Sequence, residues 1–491
     1  MTHNNFDTAS MNHLYANADK GNLLSRFQLY QLSSKEKADT TIDHDEVNKQ
    51  FCLLQDEAQK SRLHLGKLSL YSFRRYKNLQ VEFDEHLTLI VGENGSGKTS
   101  IVDSIAKILT WFASRTIKAN NSGSHIQDAD IQTSAIDYAQ IAATFKFNRD
   151  AQFDTSLVRP VAGWLGKVSS ELQATSLLGE MYRILAASNK ALELPVFAYY
   201  GIDRTSNSLP STSAITTQKA LYPQRFYAYS NVFRAQDKSK YFIQQYVVLS
   251  NRADYDDPIC KKQLQLINQA IESAVPHISN LHIDRSDGVA KIKLDSFGNR
   301  INFSQLSQGQ RTLASMVGDL ALTMSHLNPH MDNPLHASGI VLVDEIDLHL
   351  HPSLQQKIIP NLQTTFKNLQ WIITTHSPHV LSTVDKESIR IIEFDNEHHG
   401  SAIARTPVFQ TKGVISSNVL EQIMETHAVP DVPESKWITD YQSLIQTHQW
   451  DSSEGIDLNK KLLQHFGNNH PVIKELEGLV HLEKLKKEYK S

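Results

Sequence analysis

The stretch LTLIVGENGSGKTSIVDSIAKIL, Leu87 to Leu109, carries the most specific chemical pattern in the chain. Five apolar residues run into a glycine-rich loop that opens a helix-periodic segment, which is the strand, loop and helix setting a phosphate-binding loop requires. Gly92, Gly97, Lys98 and Thr99 satisfy the spacing G-x-x-x-x-G-K-[ST]. In that pattern the backbone from Glu93, Asn94, Gly95 and Ser96 through Gly97 to Ser100 cradles phosphates, the Lys98 ammonium reaches the terminal ones, and the Thr99 hydroxyl ligates magnesium. ATP and Mg2+ are therefore the expected ligands.

Three later stretches complement such a loop. In IVLVDE an apolar strand delivers Asp344 and Glu345 at its carboxyl end, where a parallel sheet would set them beside the phosphates. Asp344 would hold the magnesium through water, and Glu345 would orient or activate the attacking water. TTHSP puts His376 directly after the apolar strand QWIIT, at the same sheet edge and within reach of the terminal phosphate or that water. In FSQLSQGQRT, Ser307, Gly309 and Gln310 stand at a predicted helix start, with free amides and a positive dipole end. The phosphate loop already uses its own helix start, so this second one is expected to serve a neighbour's nucleotide, which implies a dimer.

In this order GENGSGKT, LSQGQ, IVLVDEIDLHLHP and TTHSP resemble the ATP-binding-cassette (ABC) and SMC-like ATPase superfamily over about residues 63–410. The departure is Gln308, where the commonest signature has glycine. DEIDLHLHP in particular resembles stand-alone bacterial ATPases related to the overcoming-lysogenisation-defect nucleases and to the ATPase subunit (PtuA) of Septu anti-phage systems. The resemblance implies ATP hydrolysis, an ATP-dependent homodimer or higher oligomer, and a glutamine that ligates magnesium and senses the nucleotide. Gln132 in DADIQTS is the candidate, with Gln127 and Gln140 near enough to compete. Asp347 matches the position that contacts the partner subunit. His349 and His351 alternate in DLHLHP, but no third ligand is nearby, so structural or interface use is favoured over a metal site.

The elements that must position these residues can be read coarsely. Residues 1–62 form a predicted helical prefix, with Leu14, Ala18, Leu24, Phe27 and Tyr30 at helical spacing and SSKEKADTTIDHD as an interruption. Residues 63–150 turn to strands (LHLGKLSLYSF, LTLIV, IAATFKFN) and read as the first ATPase lobe. Residues 151–289 read as a mostly helical insertion. It contains PVFAYYGIDR, the Ser/Thr-rich loop SNSLPSTSAITT, and a helix from Pro258 to Val275 with Ile259, Leu264, Ile267 and Ile271 on one side. Over residues 290–428 AKIKLDSF returns to the sheet, and strands then alternate with helices, which implies a parallel arrangement. Residues 429–491 are a helical tail ending in HLEKLKKEYKS, the expected partner-docking region. The expected fold is thus α/β, an ABC-type ATPase head with a mixed sheet, an inserted helical lobe, a helical prefix and a helical tail.

Composition narrows the function. The chain has 491 residues, 40% apolar and 21% charged, and a formal charge of -4 excludes a uniformly basic surface for nucleic acid while leaving room for a local patch. With only Cys52 and Cys260, neither a disulfide framework nor a cysteine zinc site can be built, and the chain reads as cytoplasmic. The first residues lack a basic and then apolar leader pattern, and no apolar run approaches the roughly 18 residues of a membrane span.

Spacing separates the remaining readings. The 208 residues from Thr99 to Ser307 hold no sustained heptads, which argues against an SMC-like repair clamp with long arms. The 37 residues from Ser307 to Asp344, with MSHLNPHMDNPLHASG inserted, argue against a transporter ATPase. No D-x-D follows His376, and HFGNNH lacks its nuclease surroundings, so any nuclease acts in trans. The prefix and the segment TPVFQTKGVISSNVLEQIM resemble retron-associated, Septu-like ATPases. In those systems the partner (PtuB) is a histidine-asparagine-histidine (HNH) nuclease, and a retron adds a reverse transcriptase and its branched RNA-DNA product (msDNA). The expectation is an ATP-driven switch of such a complex, with a DNA-binding repair ATPase as the alternative.

Overall fold

The computed structural model describes residues 8–35, 44–147, 151–202, 225–233, 238–286, 288–395, 400–424 and 429–490. The chain divides into two compact units, Met1–Val419 and Leu420–Ser491. The loop SNSLPSTSAITT and most of SSKEKADTTIDHD lie outside the described residues.

Three helices open the first unit: α1 (Thr8–Asp19), α2 (Leu23–Lys35) and α3 (His44–Lys60). The expected apolar spacing buries Leu14, Ala18 and Phe27, joined by Leu23, Leu29 and Leu54. Arg26 fastens all three helices. Its guanidinium donates to the Ala18 carbonyl of α1 (2.9 Å) and to the Glu57 carboxylate of α3 (2.8 and 3.2 Å).

The strands that follow build two sheets. The hairpin β1 (Leu63–Phe73) and β2 (Tyr76–Glu82) precedes β3 (Leu87–Val91), whose residues are all buried, and the helix α4 (Lys98–Ile117). Then come β4 (Tyr138–Phe147), β5 (Ala151–Pro160), α5 (Gln173–Ser188) and β6 (Val196–Tyr200). An antiparallel sheet has the order β2-β1-β4-β5. After β6 the chain forms α6 (Lys238–Asp254), α7 (Pro258–Ala274), β7 (Ile278–Asp284), β8 (Lys291–Ser296), β9 (Asn299–Asn302) and α8 (Gln308–Leu327). It continues through β10 (Gly339–Val343), α9 (Pro352–Thr365), β11 (Leu369–Thr374), the short α10 (Pro378–Leu381), β12 (Ile389–Phe394), β13 (Ala402–Arg405) and α11 (Ser416–Ile423).

A six-stranded sheet of order β13-β12-β3-β11-β10-β6 positions the chemistry. Its strands are parallel except for β13, which pairs antiparallel with β12. β3, β10 and β11 are buried along their whole length, which is why each reads as an unbroken apolar run. Val343 of β10 pairs with Ile373 of β11, and Thr374 of β11 pairs with Ile90 of β3, so the three carboxyl ends leave the sheet side by side.

Residues 151–289 supply strands as well as helices, unlike the mostly helical insertion expected. β5 extends the antiparallel sheet, and β6, the stretch VFAYY, is the edge strand beside β10. Nothing local marks that pairing. It depends on Gly339, where a Cβ would lie 1.9 Å from the Val196 carbonyl oxygen. AKIKLDSF does not return to the main sheet; β7, β8 and β9 make a separate antiparallel sheet. Alternate residues of β8 are buried, the pattern of a sheet covered on one face. The helix expected from Pro258 is α7, capped by the Asp257 side chain, but its buried face runs through Cys260, Ile267 and Ile271 and leaves Ile259 exposed. Packing against α6 and α8 selects that face.

The second unit comprises α12 (Pro433–Gln446), α13 (Ser453–Phe466) and α14 (Pro471–Lys490). They close around Tyr441, Ile445, Leu458, Leu462, Ile473 and Leu476.

Replacing Arg26 with Ala should loosen the prefix alone. The Glu57 side chain is 24% exposed, so the cost should fall between the exposed and buried limits, about 2 kcal/mol. Hydrogen exchange should accelerate over residues 8–60 and stay unchanged in β3, β10 and β11; unaltered exchange in the prefix would refute the fastening role.

Candidate functional site

The loop GENGSGKT joins β3 to α4 and wraps back on itself. Gly97 adopts φ 91° at the start of α4, and a Cβ there would sit 2.7 Å from the Tyr76 hydroxyl. Only glycine combines that left-handed backbone with that approach. The amides of Ser96 and Ser100 bond to the carbonyls of Glu93 (3.0 Å) and Gly97 (2.8 Å), while Glu93, Asn94 and Gly95 are exposed at the tip.

Lys98 is buried beneath this loop. Its ammonium donates to the carbonyls of Gly92 (3.0 Å) and Glu93 (2.9 Å) and to the Ser96 hydroxyl (3.4 Å). Burial pushes its pKa down to about 8, with the carboxylates of Glu345, Asp344 and Asp347 pulling the other way.

Asp344 follows β10 and is 0% exposed. Both of its carboxylate oxygens accept hydrogen bonds, Oδ2 from the Thr99 hydroxyl (2.7 Å) and Oδ1 from the Thr374 hydroxyl (2.6 Å). One side chain therefore ties together the first turn of α4, the end of β10 and the end of β11. The Thr374 oxygen also accepts from the Glu345 amide (2.7 Å). Glu345 has φ 48°, a left-handed turn of the kind that gathers at functional sites in non-glycine residues.

His376 lies just past β11. Burial, and then the nearby Lys98 charge, lowers its pKa from the ordinary value, against Asp347 and Asp344, so the imidazole is neutral at pH 7. Asp347 is held by the Thr375 hydroxyl (2.5 Å) and the His376 amide (3.4 Å). The structure thus gathers Lys98, Thr99, Asp344, Glu345, Asp347 and His376 at the ends of three adjoining strands. A lysine, loop amides and the start of a 20-residue helix suit phosphates, and the hydroxyl and carboxylate oxygens of Thr99 and Asp344 are the hard donors that Mg2+ takes.

Two expected groups stand elsewhere. Gln132 is fixed by the β1–β2 turn: its amide donates to the Ser72 carbonyl (2.9 Å), its Nε2 to the Arg75 carbonyl (3.3 Å), and its Oε1 accepts from Ser134 (3.3 Å). It makes no hydrogen bond to Thr99 or Asp344. Of its rivals, Gln127 caps a short turn and Gln140 lies within β4. Ser307 is the exposed N-cap of α8; its oxygen accepts from the Gln310 amide (3.3 Å) and its hydroxyl donates to the Gln310 side chain (3.0 Å). Gly309 is buried under the loop after Asp347, where a Cβ would lie 2.4 Å from the His349 carbonyl oxygen. No hydrogen bond joins Ser307, Gly309 or Gln310 to residues 92–99. His351 caps α9, accepting from the Ser353 amide (3.3 Å).

The sequence reading missed the loop's supports. The Tyr76 hydroxyl donates to the Ser96 carbonyl (2.7 Å), and its ring stacks on Phe394 at 5.8 Å. Arg75 lies 4.3 Å over the same Phe394 and bonds the Gly95 carbonyl. The basic-aromatic run FRRY was the available signal; Phe394 lies some 300 residues away in sequence and left none.

Phosphate next to Lys98 favours its charged form, so nucleotide binding should raise the lysine pKa above about 8. At pH 8.5 the free protein is mostly deprotonated there, and binding should take up most of a proton; affinity should fall as pH rises through this range. Calorimetry in two buffers of different ionisation enthalpy reads the uptake directly, and zero uptake would contradict the buried position of Lys98.

Residues 67–278 match the family described as an AAA domain, and residues 199–382 match a second AAA-domain family described by the AbiEii toxin of a type IV TA system. The chain is 30% identical to the "Retron Vc95 probable ATPase" of Vibrio cholerae serotype O1 biovar El Tor, over 83% of this chain and 88% of that one. It is 27% identical to the "Retron Ec83 probable ATPase" of Escherichia coli, over 94% and 95%. Against the "Septu protein PtuA" of Bacillus mycoides (strain KBAB4) it is 22% identical over 72% of this chain and 44% of that one. Among the described residues no helix is long and apolar enough to cross a membrane. With a complete phosphate loop and its acid strand in place, the chain is an ATPase, and it belongs to the family of retron ATPases that includes the Vc95 protein.

Proposed function

We propose that this ATPase is the nucleotide-driven switch of an anti-phage defence complex of the retron and Septu type, and that it controls a partner HNH nuclease of the PtuB kind. The observation that carries the switch is the separation of one chain's signature from its own phosphate loop. Ser307 presents an exposed helix start with no bond to residues 92–99, so it is free to complete a second copy's site. ATP held between Lys98 of one copy and Ser307 of another would join the copies, and hydrolysis would part them.

Within one site the roles follow from the geometry. Thr99 and Asp344 hold Mg2+, which when bound neutralises phosphate charge; Gln132 would join them only by leaving its bonds to Arg75 and Ser134. Lys98 binds the terminal phosphates. Glu345, on its strained turn beside Thr374, orients the attacking water, and neutral His376 can donate a hydrogen bond to the phosphate or hold that water. The names of the retron and Septu relatives support the defence setting. They also support the cytoplasm as its place, with the reverse transcriptase and its msDNA as further partners. Residues 429–491 are the proposed docking region, since α14 exposes Leu479, Leu482 and Leu485 along one side.

Glu345→Gln should leave ATP binding intact, slow hydrolysis by two or more powers of ten, about 3 kcal/mol, and trap the ATP-bound oligomer. Wild-type turnover would remove Glu345 from this role. Ser307→Arg and Lys98→Ala subunits should each be inactive alone. Mixed, they form heterodimers with one intact composite site, and partial ATPase activity should return; none in demonstrably mixed dimers would argue against a shared site. Tagged chain purified from its own operon should bring down a nuclease subunit, and its absence would refute the proposed partner.

A further inference from the structure

Buried charge is not confined to the phosphate loop. Tyr200, the last residue of β6, makes three contacts that lead to three different elements. Its carbonyl accepts from the Asp344 amide (2.8 Å), directly behind the magnesium carboxylate. Its hydroxyl donates to Oδ2 of Asp319 in α8 (2.9 Å). Its ring carries the Lys238 ammonium of α6 at 4.4 Å. All three residues are buried, at 1%, 6% and 9% exposure for Tyr200, Asp319 and Lys238.

Such a cluster is costly. Burial raises the Asp319 pKa against the opposing charge of Lys238, and lowers that of Lys238 against Asp319. Apart from each other, the cluster's partners are few: Lys238 donates to the Val232 carbonyl (2.8 Å). Apolar side chains of similar size would often stabilise such a place as well or better. What polar groups add is direction, because a hydrogen bond of 2.9 Å is broken by a shift that an apolar contact would absorb.

The neighbouring packing shows that this register is set closely. Gly318, next to Asp319, faces Phe242 of α6, where a Cβ would lie 2.3 Å from the ring. Along the same α8, Ser307 caps the amino end twelve residues before Asp319, a helical span of about 18 Å. A rigid helix therefore has the signature at one end and the Tyr200 bond within its body.

We propose that Tyr200, Asp319 and Lys238 form a positioning bridge that holds the signature helix in register with the Asp344 strand, so that hydrolysis, and not ATP binding, depends on it. The inference rests on the reading of Ser307 as a contact to a second copy's nucleotide. A displacement of α8 by that nucleotide is felt at Asp319, passes to the Tyr200 hydroxyl, and reaches the Asp344 amide through the Tyr200 carbonyl. Lys238 connects α6 to the same point. These are positioning residues, and none need touch the substrate.

The test uses the full chain, with Tyr200→Phe, Asp319→Asn and the double variant beside wild type. Each single variant should keep its affinity for a fluorescent ATP analogue within about twofold and lose about tenfold or more in kcat, with KM little changed. The double variant should be no worse than the worse single one, since both remove one bond. Additive losses, or losses shared with ATP affinity, would assign the cluster a merely structural role and overturn the bridge. If Tyr200→Phe fails to fold, Lys238→Met combined with Asp319→Leu removes both buried charges together. That chain should melt no lower than wild type yet turn over as slowly as Asp319→Asn, and wild-type turnover in it overturns the bridge. An active wild type that shows no rescue in the Ser307→Arg and Lys98→Ala mixture would remove the reading beneath; rescue there with unaltered Tyr200 and Asp319 variants overturns the bridge alone.

Discussion

The site depends on one buried carboxylate. Asp344 is sealed from water, yet both its oxygens are occupied, by Thr99 from the helix of the phosphate loop and by Thr374 from the neighbouring strand. A buried carboxylate left without partners would be strongly unfavourable, so the three backbones that supply its partners cannot move independently. The Glu345 amide bonds the same threonine oxygen, which places the second acid by the same constraint. Loop, acid pair and switch histidine are therefore one mechanical unit, although the sequence scatters them over nearly three hundred residues.

Around this carboxylate the charges are arranged to be used by a phosphate. Lys98 is buried with three acids near it, and its own donors are spent on weak carbonyl acceptors of the loop. Phosphate oxygens are stronger, charged acceptors, so their arrival exchanges poor bonds for charge-assisted ones. His376 stays neutral beside the lysine and remains able to donate or accept. The electrostatic cost of the free site is thus a reservoir that nucleotide binding relieves.

Close backbone approaches carry the arrangement outward. Gly309 lets α8 touch the His349 carbonyl, Gly318 lets α6 touch α8, and Gly339 lets β10 pair with β6. Each is a place where a side chain would force two elements apart, and together they link the exposed Ser307 to the sheet that bears Asp344. An event at the signature is in this way mechanically connected to the acid strand.

The sequence alone determined the chemistry of the loop and the elements beside it. GENGSGKT, the run IVLVDE and the strand QWIIT are local patterns, because a phosphate loop needs glycines and a buried parallel strand needs unbroken apolar residues. It also showed that LSQGQ opens a helix, since Ser307 is an N-cap by type. Pairing was beyond it. VFAYY is an apolar run whose partner lies 140 residues away, AKIKLDSF was read into the wrong sheet, and the glutamine assigned to magnesium is held by Arg75 and Ser134. Tyr76, Phe394, Thr374 and Tyr200 are ordinary residues in their own surroundings. Only the tertiary structure gives them roles, because hydrogen bonds and stacking act over a few ångströms of space and leave no period or spacing along the chain.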